Sequence, residues 1–173
     1  MFNAAAYSAI ETLRDGRTLE IRAYRPEDRE AFLAAVGRVS PLSLYRRFFV
    51  IKRSFSERER AFFLNINFVN HVALLAWTEE AAKKVVIGGG RYVVVQPAKA
   101  EVACLVVDQY QGQGVGAALM RHLVVVARAM GLRELIAVVL ADNAAMLKVF
   151  RKCGLPMQVT HESEFIQVVL RLD

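Results

Sequence analysis

The 173-residue sequence predicts one α/β domain over residues 1–173, with helices flanking a mixed, mostly antiparallel sheet (an α+β arrangement). Three observations predict it. Between His71 and Val107, three strand-like apolar runs follow one another through short polar turns, which is an antiparallel meander. The amphipathic run Val115 to Met130 then separates two further apolar runs, so those two strands pair in parallel across a helical crossover. Hydrophobic residues make up 55% and charged residues 23%, enough apolar material for a sizeable core. The chain has no internal repeats, low-complexity segments or linkers.

Each element has a local reason. Asp15-Gly16 between Leu13 and Leu19 is a hairpin signal, and Leu19, Ile21 and Ala23 alternate with Glu20 and Arg22 as in a half-buried strand. Residues 1–12 could be a flexible lead-in. Arg25-Pro26-Glu27-Asp28 opens a helix with proline at its start and acids in its first turn, and Ala31, Phe32, Ala35 and Val36 give it an apolar face. Ser40-Pro41 caps a second helix running through Leu44, Tyr45, Phe48 and Phe49. Ser56-Glu57-Arg58-Glu59 is a capping box that starts a third, with Phe62, Phe63 and Ile66 as buried candidates. His71 to Trp77 is a strand, Thr78 to Lys84 a polar turn, and Val85 to Val95 a longer strand. Gly88-Gly89-Gly90 in that strand predicts a bulge or a close backbone approach. Gln96-Pro97-Ala98-Lys99 turns the chain into the strand Ala100 to Val107. Val115, Leu119, Leu123, Val126 and Met130 then line one face of a helix that Gly131 closes. Glu134 to Leu140 is the next strand. Asp142-Asn143 caps a short helix carrying Met146, Val149, Phe150 and Cys153, and Gly154 ends it. Gln158 to His161 and Phe165 to Leu172 form a last strand pair.

The stretch Asp108 to Ala117 sits where a strand gives way to a helix and holds three glycines in five positions. Uncovered N–H groups at a helix N-terminus favour an anion, so a phosphate-bearing, nucleotide-like ligand is expected there. A Walker A loop would need Gly-Lys-Ser/Thr, but Ala117-Ala118 follows Gly116. A dinucleotide fingerprint fits Gly112, Gly114 and Ala117, yet its acidic partner Glu134 begins an apolar run instead of ending one. The pattern Q/R-x-x-G-x-G/A is matched by Gln111, Gly114 and Gly116.

Composition excludes several classes. Cys104 and Cys153 lie in apolar runs without metal-ligand spacing and read as buried thiols of a reducing compartment. The first eight residues lack a signal-peptide pattern, and charges interrupt every apolar run short of a membrane span, which points to the cytoplasm. The net charge of +6 is spread over pairs such as Arg46-Arg47, Lys83-Lys84 and Arg151-Lys152. Scattered pairs suit a polyphosphate ligand better than nucleic acid or a membrane. His71, His122 and His161 are dispersed, so no metal is expected.

From Ala100 to Gly154 the chain resembles the GNAT superfamily of acyl-CoA-dependent N-acyltransferases, whose pyrophosphate loop carries Q/R-x-x-G-x-G/A. That resemblance implies the GNAT acyl-CoA N-acyltransferase fold, with two central strands splayed around the pantetheine arm, and acetyl-CoA as co-substrate. Carried over by position, Leu105, Val106 and Val107 would hold the pantetheine. Gln111, Gly112, Gln113, Gly114, Val115, Gly116 and Ala117 would hold the pyrophosphate. Asn143 and Met146 of the D-N-x-x-M pattern, with Phe150, would complete the cofactor site. Nearly the whole chain is similar to the catalytic domain of bacterial protein lysine acetyltransferases. The similarity rests on Ser40-Pro41-Leu42-Ser43-Leu44-Tyr45-Arg46-Arg47-Phe48-Phe49, on Arg22 with Arg25-Pro26 and Asp28, and on Ala100-Glu101-Val102-Ala103. It implies a protein acceptor with a reactive lysine, acyl-CoA synthetases among them, and a monomer or homodimer.

Transfer to an amine needs a base, because only about one lysine in 10³ is neutral at pH 7. The resemblance assigns that role to Glu101, a few residues back from the loop along a strand rising ~3.3 Å per residue. Many relatives protonate the leaving thiolate with a tyrosine, and here that position holds Phe150. Tyr110 and Tyr45 are weak substitutes. Cys104 has apolar neighbours and reads as a core thiol, not an acyl carrier. The sequence reading is direct acetyl transfer to a protein lysine. Acetylation of a small amine or antibiotic, and a non-catalytic acetyl-CoA sensor suggested by Phe150, remain as alternatives.

Overall fold

A computed structural model describes residues 1–50, 52 and 54–173. Its strands are β1 (Ser8–Thr12), β2 (Thr18–Ala23), β3 (His71–Glu80), β4 (Lys83–Gln96), β5 (Lys99–Val106), β6 (Glu134–Leu140), β7 (Met157–Glu162) and β8 (Phe165–Arg171). The helices are α1 (Arg29–Val36), α2 (Pro41–Phe48), α3 (Glu57–Leu64), α4 (Val115–Ala129) and α5 (Ala144–Arg151). The eight strands form one sheet in the order β1-β2-β3-β4-β5-β6-β8-β7. Among the described residues only β5 and β6 pair in parallel, across the α4 crossover.

Both faces of the central sheet are covered. Residues 71–78 of β3 are all buried; α4 packs against β3 and β4, and α1 packs against β4. α4 turns Val115, Leu119, Leu123 and Val126 onto the sheet, each at most 1% exposed. Burying one such side chain contributes about 1.5–3 kcal/mol. The glycines of β4 make that packing possible. A Cβ on Gly90 would sit 2.7 Å from Leu123 Cδ1 and 3.0 Å from Cys104 Sγ. The predicted bulge is present too, as a register shift opposite Ala76 and Trp77 just before Gly88.

Several elements depart from the sequence reading. The lead-in over residues 1–12 instead forms a 3-10 turn (Ala4–Ala6) and the edge strand β1, the first arm that the Asp15-Gly16 turn requires. Thr78 to Lys84 is not a turn. β3 and β4 stay paired out to Glu80↔Lys83, and only Ala81 and Ala82, both with positive φ, make the reversal. Phe62 is 48% exposed, and Ile66 lies beyond the end of α3 at Leu64. A helix of two turns cannot bury aromatics on every side, and here Phe63 takes the inward position.

One feature of the sheet makes room for a site. β5 and β6 share only the rungs Lys99↔Glu134, Ala100↔Leu135 and Glu101↔Ile136. β5 continues to Val106 against β4, and β6 continues to Leu140 against β8. The two strands therefore part immediately after Glu101.

Candidate active site

The parting strands open a cleft of about 370 Å³, within the range that holds small ligands. Glu101, Leu105, Val106, Gln111, Gly112 and Gly114 line it. So do Val115, Gly116, Ala117, Asn143, Met146 and Phe150. Two predicted residues lie outside it. Val107 is 2% exposed and donates its N–H to Ile87 O at 2.9 Å. Gln113 turns its amide back toward Gln109 O at 3.4 Å.

Backbone parity corrects the assignment along β5. In an antiparallel pair the inward-bonding residues alternate. Val107 bonds to β4, so Leu105, two residues back and opposite Gly89, does the same. The backbone groups that face the cleft are those of Cys104 and Val106. The side chain of Gln111 already samples that edge, donating from Nε2 to Val106 O at 3.0 Å.

The glycine loop has the conformation that its residues allow. Gly112 (φ 77°) and Gly114 (φ 94°) adopt left-handed backbone, and Gly114 is the N-cap of α4. A Cβ at either would meet no protein atom within 4 Å, so the space beside them is open. Gly116, two residues on, lies against α5, where an added Cβ would be 3.4 Å from Val149 Cγ2. The first-turn amides of α4 thus face the cleft with no side chain over them. Arg14 donates to Gly112 O at 3.2 Å, and Arg46, Arg47, Lys148 and Lys152 also line the cleft. Cations lining a cleft that contains the N-terminus of a 15-residue helix suit a polyphosphate.

The Ser40-Pro41-Leu42-Ser43 segment has a role here that its spacing alone did not reveal. Asp108 accepts from Ser40 N at 2.7 Å, Ser40 Oγ at 2.7 Å and Ser43 Oγ at 2.8 Å. Ser43 Oγ in turn accepts from Gln111 Nε2 at 3.1 Å. Burial works to raise the Asp108 pKa, but these hydrogen bonds hold it below the usual carboxylate range. The network ties the start of α2 to the loop that precedes α4.

The remaining candidates separate cleanly. Glu101 is exposed at the mouth of the cleft, on the last rung before the strands part. Phe150 is 1% exposed and offers no proton. Tyr110 is fully buried, with its hydroxyl donating to Glu80 and accepting from Arg17 at 3.2 Å. Tyr45 sits on the exposed side of α2. Burial pushes the Cys104 thiol up to about 12, so it is protonated at neutral pH. Asn143 Oδ1 caps α5 by accepting from Met146 N at 3.2 Å, which also holds its side chain beside the cleft. Among the described residues no three His, Cys, Asp or Glu side chains are grouped as metal ligands. Among those residues no helix is long and apolar enough to cross a membrane. The residues that the sequence reading did not assign are Arg14, Ser43, Arg46, Arg47, Lys148 and Lys152. The charge of the five basic residues was visible, but their convergence from the β1–β2 turn, α2 and α5 was not.

Comparison with known proteins agrees with this geometry. A family model described as "Acetyltransferase (GNAT) family" matches residues 40–155. A protein named Acetyltransferase PA5475, from Pseudomonas aeruginosa, is 35% identical over 138 residues, which is 79% of this chain and 74% of that protein. Acetyltransferase Pat from Mycolicibacterium smegmatis is 32% identical over 145 residues, 82% of this chain but only 42% of that relative's length. The crystal structure of the GNAT domain of S. lividans PAT superposes with a TM-score of 0.86 at 31% identity, covering 99% of both chains.

Proposed function

This chain belongs to the acetyltransferase (GNAT) family, and on that premise we propose that it moves acetyl from acetyl-CoA directly to the ε-amine of a protein lysine, with Glu101 as general base. The observation that carries this reading is the opening of the sheet one residue past Glu101, onto a cleft that ends in a bare helix N-terminus. Similarity to acetyltransferases of the Pat group supports a protein acceptor. Acyl-CoA synthetases are the acceptor class proposed, and the cytoplasm the compartment.

The chemistry follows from the groups in the cleft. The first-turn amides of α4, with Arg14, Lys148 and Lys152, would receive the pyrophosphate. The free backbone edge of β5 at Cys104 and Val106 would pair with the pantetheine amides. Glu101 accepts the amine proton, directly or through one water, as the nitrogen attacks the thioester carbon. A backbone N–H of that same edge stabilises the oxyanion. The C–S bond then breaks, and the thiolate takes its proton from solvent, because Phe150 has none to give.

Incubation of a folded acyl-CoA synthetase with the protein and acetyl-CoA tests the acceptor. The expected result, read by peptide mass spectrometry, is an acetyl group on a synthetase lysine. A second reading, acetylation of a small amine, is favoured by an aromatic cavity of about 70 Å³ beside the cleft, walled by Phe32, Phe48, Phe55 and Phe63. Turnover on free amines with no modified protein lysine would decide for it.

A further inference from the structure

The aromatic cavity on the opposite face of β5 contains a charge arrangement that acetyl transfer does not use. Its floor is Gly88 to Gly90 of β4 with Ala103 and Leu105 of β5. Three arginines line it: Arg60 is exposed, while the guanidiniums of Arg47 and Arg91 lie among its phenylalanines. Arg91 Nη1 donates to Phe63 O at 3.3 Å and stands 3.0 Å from His71 Nε2, and its Cζ lies 4.9 Å from the Phe63 ring centroid. Among the described residues no carboxylate reaches ion-pair distance of either arginine.

That is an unbalanced site. Cations in apolar surroundings are ordinarily paired, because desolvation penalises the charged form. Here burial, and then the Arg47 charge, push Arg91 down to about 9. Burial also lowers Arg47, offset only in part by Cys104 and Glu101. His71 supplies no countercharge. Burial and then Arg91 push its pKa down to about 4, so it is neutral and accepts from the guanidinium. The cavity meets the cleft at Arg47, Ala103, Cys104 and Leu105, where the thioester of a bound cofactor would end. The cofactor's phosphates belong at the other end of the cleft, and an acetyl group carries no charge.

We propose that the Arg47–Arg91 cavity recognises a carboxylate borne a few carbons from the reacting centre. This rests on the cleft being the acyl-CoA site. Planar guanidiniums match a carboxylate, the phenylalanine walls pack the intervening methylenes, and about 70 Å³ limits the chain to a short one. The carboxylate belongs to the donor, as in a short dicarboxylic acid monothioester of coenzyme A, or to a small amino acid acceptor.

Calorimetry with matched ligands tests this. Glutaryl-CoA should bind wild type about tenfold more tightly than uncharged pentanoyl-CoA, an interval typical of one charge-assisted contact. Arg91→Met should bring that ratio to about one while pentanoyl-CoA affinity, which also reports folding, is kept. Arg91→Lys should restore part of it, and Arg47→Met should lower the ratio independently. If the carboxylate belongs to the acceptor, the same Arg91-dependent preference appears instead in kcat/KM for 4-aminobutyrate over butylamine with acetyl-CoA as donor. No preference in either series, or one that survives both Arg91→Met and Arg47→Met, overturns the proposal. Failure of the cleft reading would look different, since no CoA thioester would bind at all. In that case free glutarate decides: Arg91-dependent binding supports the cavity, and no binding to wild type overturns it.

Discussion

Glu101, Cys104 and Phe150 all line the cleft between β5 and β6, and under the proposed function that placement decides what each can do. Glu101 was legible as a candidate because it opens the strand that runs into the glycine loop. Its position on the last shared rung of β5 and β6 was not, since pairing between strands distant in sequence is set by packing. The same holds for Leu105 and Val107. They were expected to hold the pantetheine, but bonding to β4 decides which backbone groups are free, and it leaves those of Cys104 and Val106. Cys104 lies in the cleft, yet its thiol, raised to about 12, is almost wholly protonated at pH 7. Cys104→Ala should therefore retain activity within about threefold, since transfer needs no thiolate. A folded but inactive Cys104→Ala protein would show that an acyl-enzyme forms.

At the scale of elements, the loop from Asp108 to Gly114 and the start of α4 were read correctly as a helix N-terminus with bare amides. The tether from α2 was not, because Ser40 and Ser43 look like ordinary capping residues until Asp108 is found between them. Gly114→Glu would put a carboxylate into open cleft beside the first-turn amides, at a φ of 94° that side chains resist. Loss of acetyl-CoA binding is expected by equilibrium titration, and unchanged affinity would remove the loop as a phosphate site. Asp108→Ala should cost about 1–3 kcal/mol at pH 7 by leaving Ser40 N–H unpaired. The Asp108 pKa is depressed in the folded state, so the stability it lends is present above the ordinary value of about 3.9 and is lost as pH falls through the lower folded value. Urea denaturation over a pH series should show the gap between variant and wild type narrowing below about pH 4. A gap constant across the series would mean that the Asp108 charge contributes nothing.

For the whole molecule, the meander, the crossover and the closing strand pair followed from periodicity and turn residues. The edge strand β1 and the long β3–β4 ribbon did not, because polar residues at a sheet edge pair as well as apolar ones. The sheet is continuous except where β5 leaves β6, and ligand binding there should stabilise the entire fold. Acetyl-CoA at about 100 times its Kd should add ~2.7 kcal/mol and raise Tm with concentration. A Tm indifferent to acetyl-CoA would place the ligand elsewhere. The central claim joins this cleft to Glu101 and a protein lysine. It is tested most directly by acetyl-CoA-dependent thiol release on a folded acyl-CoA synthetase, with wild type and Glu101→Gln side by side and cofactor affinity measured for both. The account predicts a fall of about 10²–10⁴-fold in turnover at unchanged cofactor affinity. Wild-type turnover in Glu101→Gln would contradict it.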